Sequence, residues 1–135
     1  MATVGAAAAA ILVAGCGGSD FKNTARPPVR LQLSGVIQKD KVIVSPNRGL
    51  GAGPVALIIS NQTAQRHTVK VEGGSTTQPA QSVDPGDTLT IRRTLEPGTY
   101  QVSAGSEQAV PKEITPATLT IGAERTDSNS DLMQP

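Results

Sequence analysis

The sequence predicts an all-β protein, a Greek-key β-sandwich of about seven strands that follows a signal peptide and a flexible tether. From residue 29 onward apolar residues recur at every second position, which is the period of a half-buried strand. Glycine and proline, with 14 and 10 residues, separate these short runs. No segment has the 3.6-residue period of a helix. Short alternating runs between turn residues are typical of a sandwich.

The first half of the domain contains three predicted strands. The first alternates through residues 29–33, and we expect Ser34-Gly35 to interrupt it as a bulge. The second covers residues 42–44. Residues 47–54 are rich in glycine and predict a loop, whereas residues 55–59 are continuously apolar and predict a central strand.

The second half of the domain contains four predicted strands. Residues 61–66 form a connection, and the next strand places His67, Val69 and Val71 on one face. Residues 73–81 predict a polar loop. The remaining strands are predicted from the alternations of Leu89 with Ile91, of Tyr100, Val102 and Ala104, and of Ala117, Leu119 and Ile121.

The N-terminus resembles the signal of a bacterial lipoprotein. Residues 6–14 form an apolar run that is too short to span a bilayer, which takes about 20 residues, but suits a secretory signal. The end of this run and the two residues after it, Val13-Ala14-Gly15-Cys16, resemble a lipobox, in which the cysteine is lipidated and the chain is cleaved before it. The resemblance implies a lipid anchor on Cys16. The alternative is a buried helix followed by a free cysteine.

The predicted signal lacks its basic start. Residues 1–5 contain neither lysine nor arginine, and we expect the natural start to lie upstream of Met1. Acyl chains such as palmitate on Cys16 would anchor the protein stably. The expected location is therefore the cell membrane, lipid-anchored and facing the extracytoplasmic side.

These features predict four segments. Residues 1–15 are a lipoprotein signal peptide, and residues 16–28 are the lipidated cysteine and a flexible linker. Residues 29–122 form the sandwich, and residues 123–135 form a polar, disordered tail.

The composition excludes several functions. The formal net charge is +1, from 12 basic and 11 acidic residues that are scattered along the chain. Without a basic stripe or stacking aromatics, we expect no nucleic-acid binding. The single cysteine excludes a disulfide within the chain.

The segment from Leu95 to Tyr100 resembles a tyrosine corner. In this motif a tyrosine hydroxyl bonds to the backbone a few residues upstream and fixes a Greek-key crossover. The turn residues Pro97 and Gly98 precede the tyrosine. We therefore expect Tyr100, Pro97 and Gly98 to have structural roles.

Taken together, residues 41–121 resemble a cupredoxin, the β-sandwich of blue-copper proteins. The resemblance is carried by Val42-Ile43-Val44-Ser45-Pro46, Gly53-Pro54-Val55, Asn61 with His67-Thr68-Val69, Val83-Asp84-Pro85-Gly86-Asp87 and Leu95-Glu96-Pro97-Gly98-Thr99-Tyr100. It implies that His67 corresponds to the first copper histidine. It also implies a cysteine, a second histidine and a methionine after the strand that starts at Tyr100.

The second half of that ligand set is missing here. Residues 101–116 contain no cysteine, histidine or methionine, and the chain has one histidine and one cysteine in total. A blue-copper centre needs two histidines and a thiolate, so we expect no copper centre and no cofactor. His67 is at most a weak candidate metal ligand. The alternative, which we favour, is a partly buried, hydrogen-bonded histidine.

The residues favour a non-catalytic function. With one imidazole and no Gly-x-Ser-x-Gly elbow, no catalytic constellation is recognisable. We expect a binding or structural module that contacts an envelope protein or a glycan through the loops at 47–54, 61–67 and 105–116. The sequon Asn61-Gln62-Thr63 is interpreted as a turn. The alternative function is copper handling, in which His67 is joined by ligands from a partner.

Overall fold

The computed structural model describes residues 27–75 and 78–125, which contain eight β-strands and no helix. The predicted all-β sandwich is therefore confirmed, with one strand more than expected. Cys16, the predicted signal and residues 126–135 lie outside the described residues. The strands are β1 (Leu31–Ile37), β2 (Val42–Ser45), β3 (Leu50–Asn61), β4 (His67–Gly73), β5 (Gln81–Val83), β6 (Thr88–Leu95), β7 (Gly98–Gly105) and β8 (Ala117–Glu124).

The strands form two layers. The first sheet has the order β2-β1-β3-β6, and the second has the order β5-β4-β7-β8 with the beginning of β3 at its edge. Strand β3 runs parallel to β1 and β8, and the other pairs are antiparallel. Within the described ranges no helix is long and apolar enough to cross a membrane.

Strand β3 belongs to both sheets. Leu50 and Gly51 pair with β8, and after a register shift the strand continues from Gly53 to Ser60 against β6. Gly53 has φ +137°, a conformation that a residue with a Cβ rarely adopts. The prediction of a loop over residues 47–54 was therefore wrong from Leu50 onward, because glycine here bends a strand from one sheet to the other.

Three further predictions need correction. Strand β1 passes through Gly35 in continuous register with both neighbours, so the expected bulge is absent. A Cβ at Gly35 would lie 2.8 Å from Cγ1 of Ile59, which shows that this glycine permits close packing. Strand β5 begins at Gln81, inside the expected polar loop. Strand β8 runs to Glu124 and includes residues 123 and 124, which were assigned to the tail.

The core between the sheets is aliphatic. Alternate residues of each strand point inward, and among the buried residues described Tyr100 is the only phenylalanine, tyrosine or tryptophan. A cavity of about 10 Å³ lies among Leu33, Leu57 and Leu119, which is at the lower limit of the space that can hold one water molecule. Because its lining is mainly apolar, this cavity is a packing defect rather than a ligand site.

Candidate functional site at the loop end of the sandwich

The two ends of the sandwich differ in what they contain. The connections at 38–41, 62–66, 84–87 and 106–116 lie at one end, which we call the loop end. The opposite end, which we call the base, contains the β2–β3 connection at 46–49 and the first and last described residues of the sandwich. Of the three segments expected to contact a partner, residues 61–67 and 105–116 lie at the loop end, whereas residues 47–54 begin at the base.

Asn61 organises the loop end. Its side chain is 0 % exposed, and Nδ2 donates to the carbonyls of Gln65 (2.8 Å) and Val83 (3.2 Å). Oδ1 accepts from the backbone N–H (3.0 Å) and the hydroxyl (2.8 Å) of Thr63. Both donors and both acceptor positions of the amide are thus used. One side chain on the first sheet therefore fixes the β3–β4 loop and reaches β5 of the second sheet.

The backbone of Asn61 extends this network to the next turn. Its N–H donates to the carbonyl of Asp87, and its carbonyl accepts from the N–H of Gly86, both at 2.9 Å. Gly86 has φ +78°, as the third residue of a tight turn often requires. The amide of the sequon is therefore buried and occupied in the folded domain, which agrees with its interpretation as part of a turn.

His67 is the first residue of β4 and pairs with Val83 of β5. Its side chain is 1 % exposed, and neither Nδ1 nor Nε2 has a hydrogen-bond partner. Removal from water lowers the pKa of the ring below its ordinary value, so the imidazole is neutral at pH 7. The prediction of a partly buried, hydrogen-bonded histidine was therefore wrong, because the ring is fully buried and has no hydrogen-bond partner.

The surroundings of His67 do not fit a copper centre. On β7, the residue that pairs with Val69 on the same inner face is Ala104, which offers only a methyl group. Within residues 27–75 and 78–125, no group of three or more histidine, cysteine, aspartate or glutamate side chains could hold a metal ion. Because the ring is buried, ligands of a partner protein do not reach it in this conformation either.

The surface of the loop end carries opposite charges in pairs. Arg66 donates to the carboxylate of Asp84, and this hydrogen bond raises the pKa of Arg66. Lys112 binds Glu107 at 3.1 Å on the β7–β8 loop. Next to this pair, Val110 is 92 % exposed. These pairs are solvated and add little stability, but they give the loop end a mixed, polar surface suited to recognition.

Tyr100 lies at the base, where the β6–β7 turn contains Pro97 and β7 starts at Gly98. The Tyr100 hydroxyl donates to the carbonyl of Glu96 (3.0 Å) and accepts from its N–H (3.1 Å). The ring is 3 % exposed. The hydroxyl thus serves both backbone groups of one turn residue.

Arg125, for which no sequence pattern indicates a role, holds the base together. Its guanidinium donates to three backbone carbonyls, those of Val29, Ala52 (3.3 Å) and Pro54 (2.7 Å). The side chain lies over Gly53, where a Cβ would come within 2.7 Å of Nη2. Arg125, at the C-terminal end of the sandwich, is therefore bonded both to the residues before β1 and to β3, the strand shared by the two sheets.

Comparisons with known proteins leave the family open. No family model matches the chain, and no curated protein matches it. The chain is similar to a crystal structure of a multicopper oxidase, with a TM-score of 0.48 and 11 % identity over 72 % of this chain. It spans 43 % of the length of that protein. A likeness this distant carries no information on activity, ligands or partners.

Proposed function

We propose that this protein is a bacterial envelope lipoprotein, anchored through Cys16, that carries a non-catalytic cupredoxin-like module for binding or structural contacts. Its working surface is the loop end, which contacts an envelope protein or a glycan on the extracytoplasmic side. The observation that supports this most is the position of Val29, which lies at the opposite end of the sandwich.

The base is where an N-terminal anchor would attach. The Val29 carbonyl is bonded to Arg125 at the base, whereas Asn61 and His67 lie at the far end of their strands. Twelve residues lie between Cys16 and Val29, and the thirteen residue-to-residue steps reach at most about 45 Å. An anchor at Cys16 would therefore keep the base, on average, nearer to the membrane than the loop end.

The burial of His67 favours binding over catalysis. His67 is the only histidine in the chain, and a general base must come within hydrogen-bonding reach of the proton that it removes. A ring that is 1 % exposed does not meet a substrate at the surface. The exposed loops with their paired charges are, by contrast, accessible to a partner.

Lipidation is tested in bacteria that express the gene from its native locus and grow with an alkyne analogue of palmitate. The wild-type protein should incorporate the label and sediment with membranes, and Cys16→Ser should lose both properties. The substitution lies outside the sandwich, so far-ultraviolet circular dichroism of the variant should be unchanged. A wild-type protein that is unlabelled and found in the soluble fraction would refute the anchor.

Orientation is tested with Asn47→Cys at the base and Gln108→Cys at the loop end, both at exposed positions. Each lipidated variant carries a fluorescent maleimide on vesicles that contain an acceptor lipid. Energy transfer should be stronger from position 47, because the base is, on average, nearer to the bilayer. Equal transfer, or stronger transfer from position 108, would contradict the proposed display of the loop end.

A further inference from the structure

We propose that His67 makes the loop end acid-sensitive. In mild acid, protonation of this imidazole requires β5 and the adjoining loops to open, while the rest of the sandwich stays folded. This property goes beyond the proposed binding function and does not depend on it.

The buried ring has no means of accommodating a positive charge. Neutral imidazole already leaves one donor and one acceptor of His67 without partners. Protonation would turn the acceptor nitrogen into a second donor and add a charge to a side chain that is shielded from solvent. The charged ring is therefore more stable in any conformation that exposes it to solvent.

The backbone carbonyls of Gln65, near His67 in the chain, and of Val83, its partner in β5, already accept hydrogen bonds. The carbonyls of Gln65 and Val83 are the acceptors of the Asn61 amide. The Gln65 carbonyl also accepts from the Thr63 hydroxyl at 3.0 Å. Turning either carbonyl toward a protonated His67 would weaken the buried hydrogen bond that it accepts from Asn61.

No charged side chain is available to stabilise the imidazolium. The charged residues beside this position, Arg66 and Asp84, are exposed and bind each other. The inner face of β7 at this end presents Ala104, followed by Ser106, whose hydroxyl accepts from the N–H of Gln108. The other buried side chains of the loop end include those of Asn61, Val83 and Ile114, none of which ionises. The remaining charged residues of the adjoining turn and loop, Asp87, Glu107, Lys112 and Glu113, are exposed.

Strand β5, which pairs with His67, has few pairing contacts that keep it in the sheet. Strand β5 has three residues and pairs only with β4, whereas β7 pairs with β4 over six residues and with β8 over five. Short edge strands open at lower free energy than central strands. Opening of β5 is therefore the least costly route by which His67 meets water.

The direction of the effect follows from the two protonation equilibria. The open form binds the proton with the ordinary pKa of histidine, about 6.5, whereas burial lowers the pKa of the closed form. Stability of the closed loop end is thus complete above about pH 6.5 and declines as the pH falls toward the closed-form pKa. Each pH unit in this window favours opening by up to about tenfold.

The test uses the ¹⁵N-labelled full chain, whose single histidine gives one set of imidazole signals. Amide exchange is measured at pH 7.5 and 5.0 and corrected for intrinsic exchange rates. Protection at Thr68 and Val83 should fall by up to about 30-fold, the factor for 1.5 pH units below 6.5. Protection at Val102 and Leu119, in the central strands, should stay constant. An imidazole that titrates near pH 6.5 without any loss of protection would overturn the proposal.

Variants separate His67 from other effects of acid. His67→Phe should abolish the pH dependence of protection, and His67→Leu serves the same purpose if the larger ring does not fit. The matched control combines His67→Phe with Thr68→His, which moves the imidazole to the exposed face of the same strand. This control should titrate at the ordinary pKa and show no acid-dependent opening. Acid-dependent opening that persists in His67→Phe or His67→Leu would overturn the assignment to His67.

Discussion

Removal of the Tyr100 hydroxyl measures how much the β6–β7 turn contributes to stability. Tyr100→Phe leaves the buried ring in place and deletes only the atom that serves the N–H and the carbonyl of Glu96. The substitution therefore changes hydrogen bonding without creating a large cavity.

The expected loss follows from the two hydrogen bonds. A typical bond contributes a net 0.5–1.5 kcal/mol, so two contribute about 1–3 kcal/mol. Because Glu96 is exposed, water can replace the hydroxyl in part, and we expect a decrease of about 1–2 kcal/mol. For a domain of about 100 residues this lowers Tm by about 4–16 °C.

Calorimetry and far-ultraviolet circular dichroism are the suitable assays, since Tyr100 is the only tyrosine and the chain has no tryptophan. Glu96→Ala is the matched control. It keeps both backbone groups and removes only an exposed side-chain bond with Ser75, so its stability should change by less than about 0.5 kcal/mol. If Tyr100→Phe melts at the wild-type temperature, or if both variants lose the same amount, the structural role assigned to the hydroxyl is refuted.

Three other substitutions have defined outcomes. Asn61→Ala removes four buried or half-buried hydrogen bonds and should cost about 2–4 kcal/mol in urea denaturation; a cost below 1 kcal/mol would contradict its central role. Gly73→Ala places a Cβ against the Thr99 carbonyl at a residue with φ +138°, whereas Gly86 has φ +78° and open space around it, so Gly73→Ala should lower Tm more than Gly86→Ala. Equal decreases in Tm would exclude the contact with Thr99 as the cause. Arg125→Lys cannot reach three carbonyls at once and should lower the free energy of unfolding by about 1–2 kcal/mol, measured by calorimetry; an unchanged value would show that one ammonium group suffices.

The sequence predicts the fold well where one face of a strand is buried. In β4 and β7 the alternation of buried and exposed residues is complete enough to be visible in the residue types. The prediction fails where a strand is too short to show a period, as in β5. It also fails where a glycine with an unusual backbone conformation lies inside a strand. Gly53 looks like a loop residue because its conformation is unusual, yet it lies inside a twelve-residue strand.

The candidate site is less visible in the sequence because its contacts are distant along the chain. The Tyr100 bond spans four residues, a distance that a local motif can encode. The bond from Asn61 to Val83 spans 22 residues, and those of Arg125 span 71 to 96. The phase of β4 correctly placed His67 on the inner face, but its lack of partners depends on residues from other strands.

The passage of β3 from one sheet to the other makes the two layers depend on each other. A cut or a destabilising change in β3 would remove the central neighbour of β1 and β6 and an edge neighbour of β8 at the same time. Neither sheet is therefore an independent folding unit, and fragments that contain one sheet alone should not be stable. Beyond local opening at its loop end, the domain is expected to melt in a single cooperative transition with equal calorimetric and van't Hoff enthalpies.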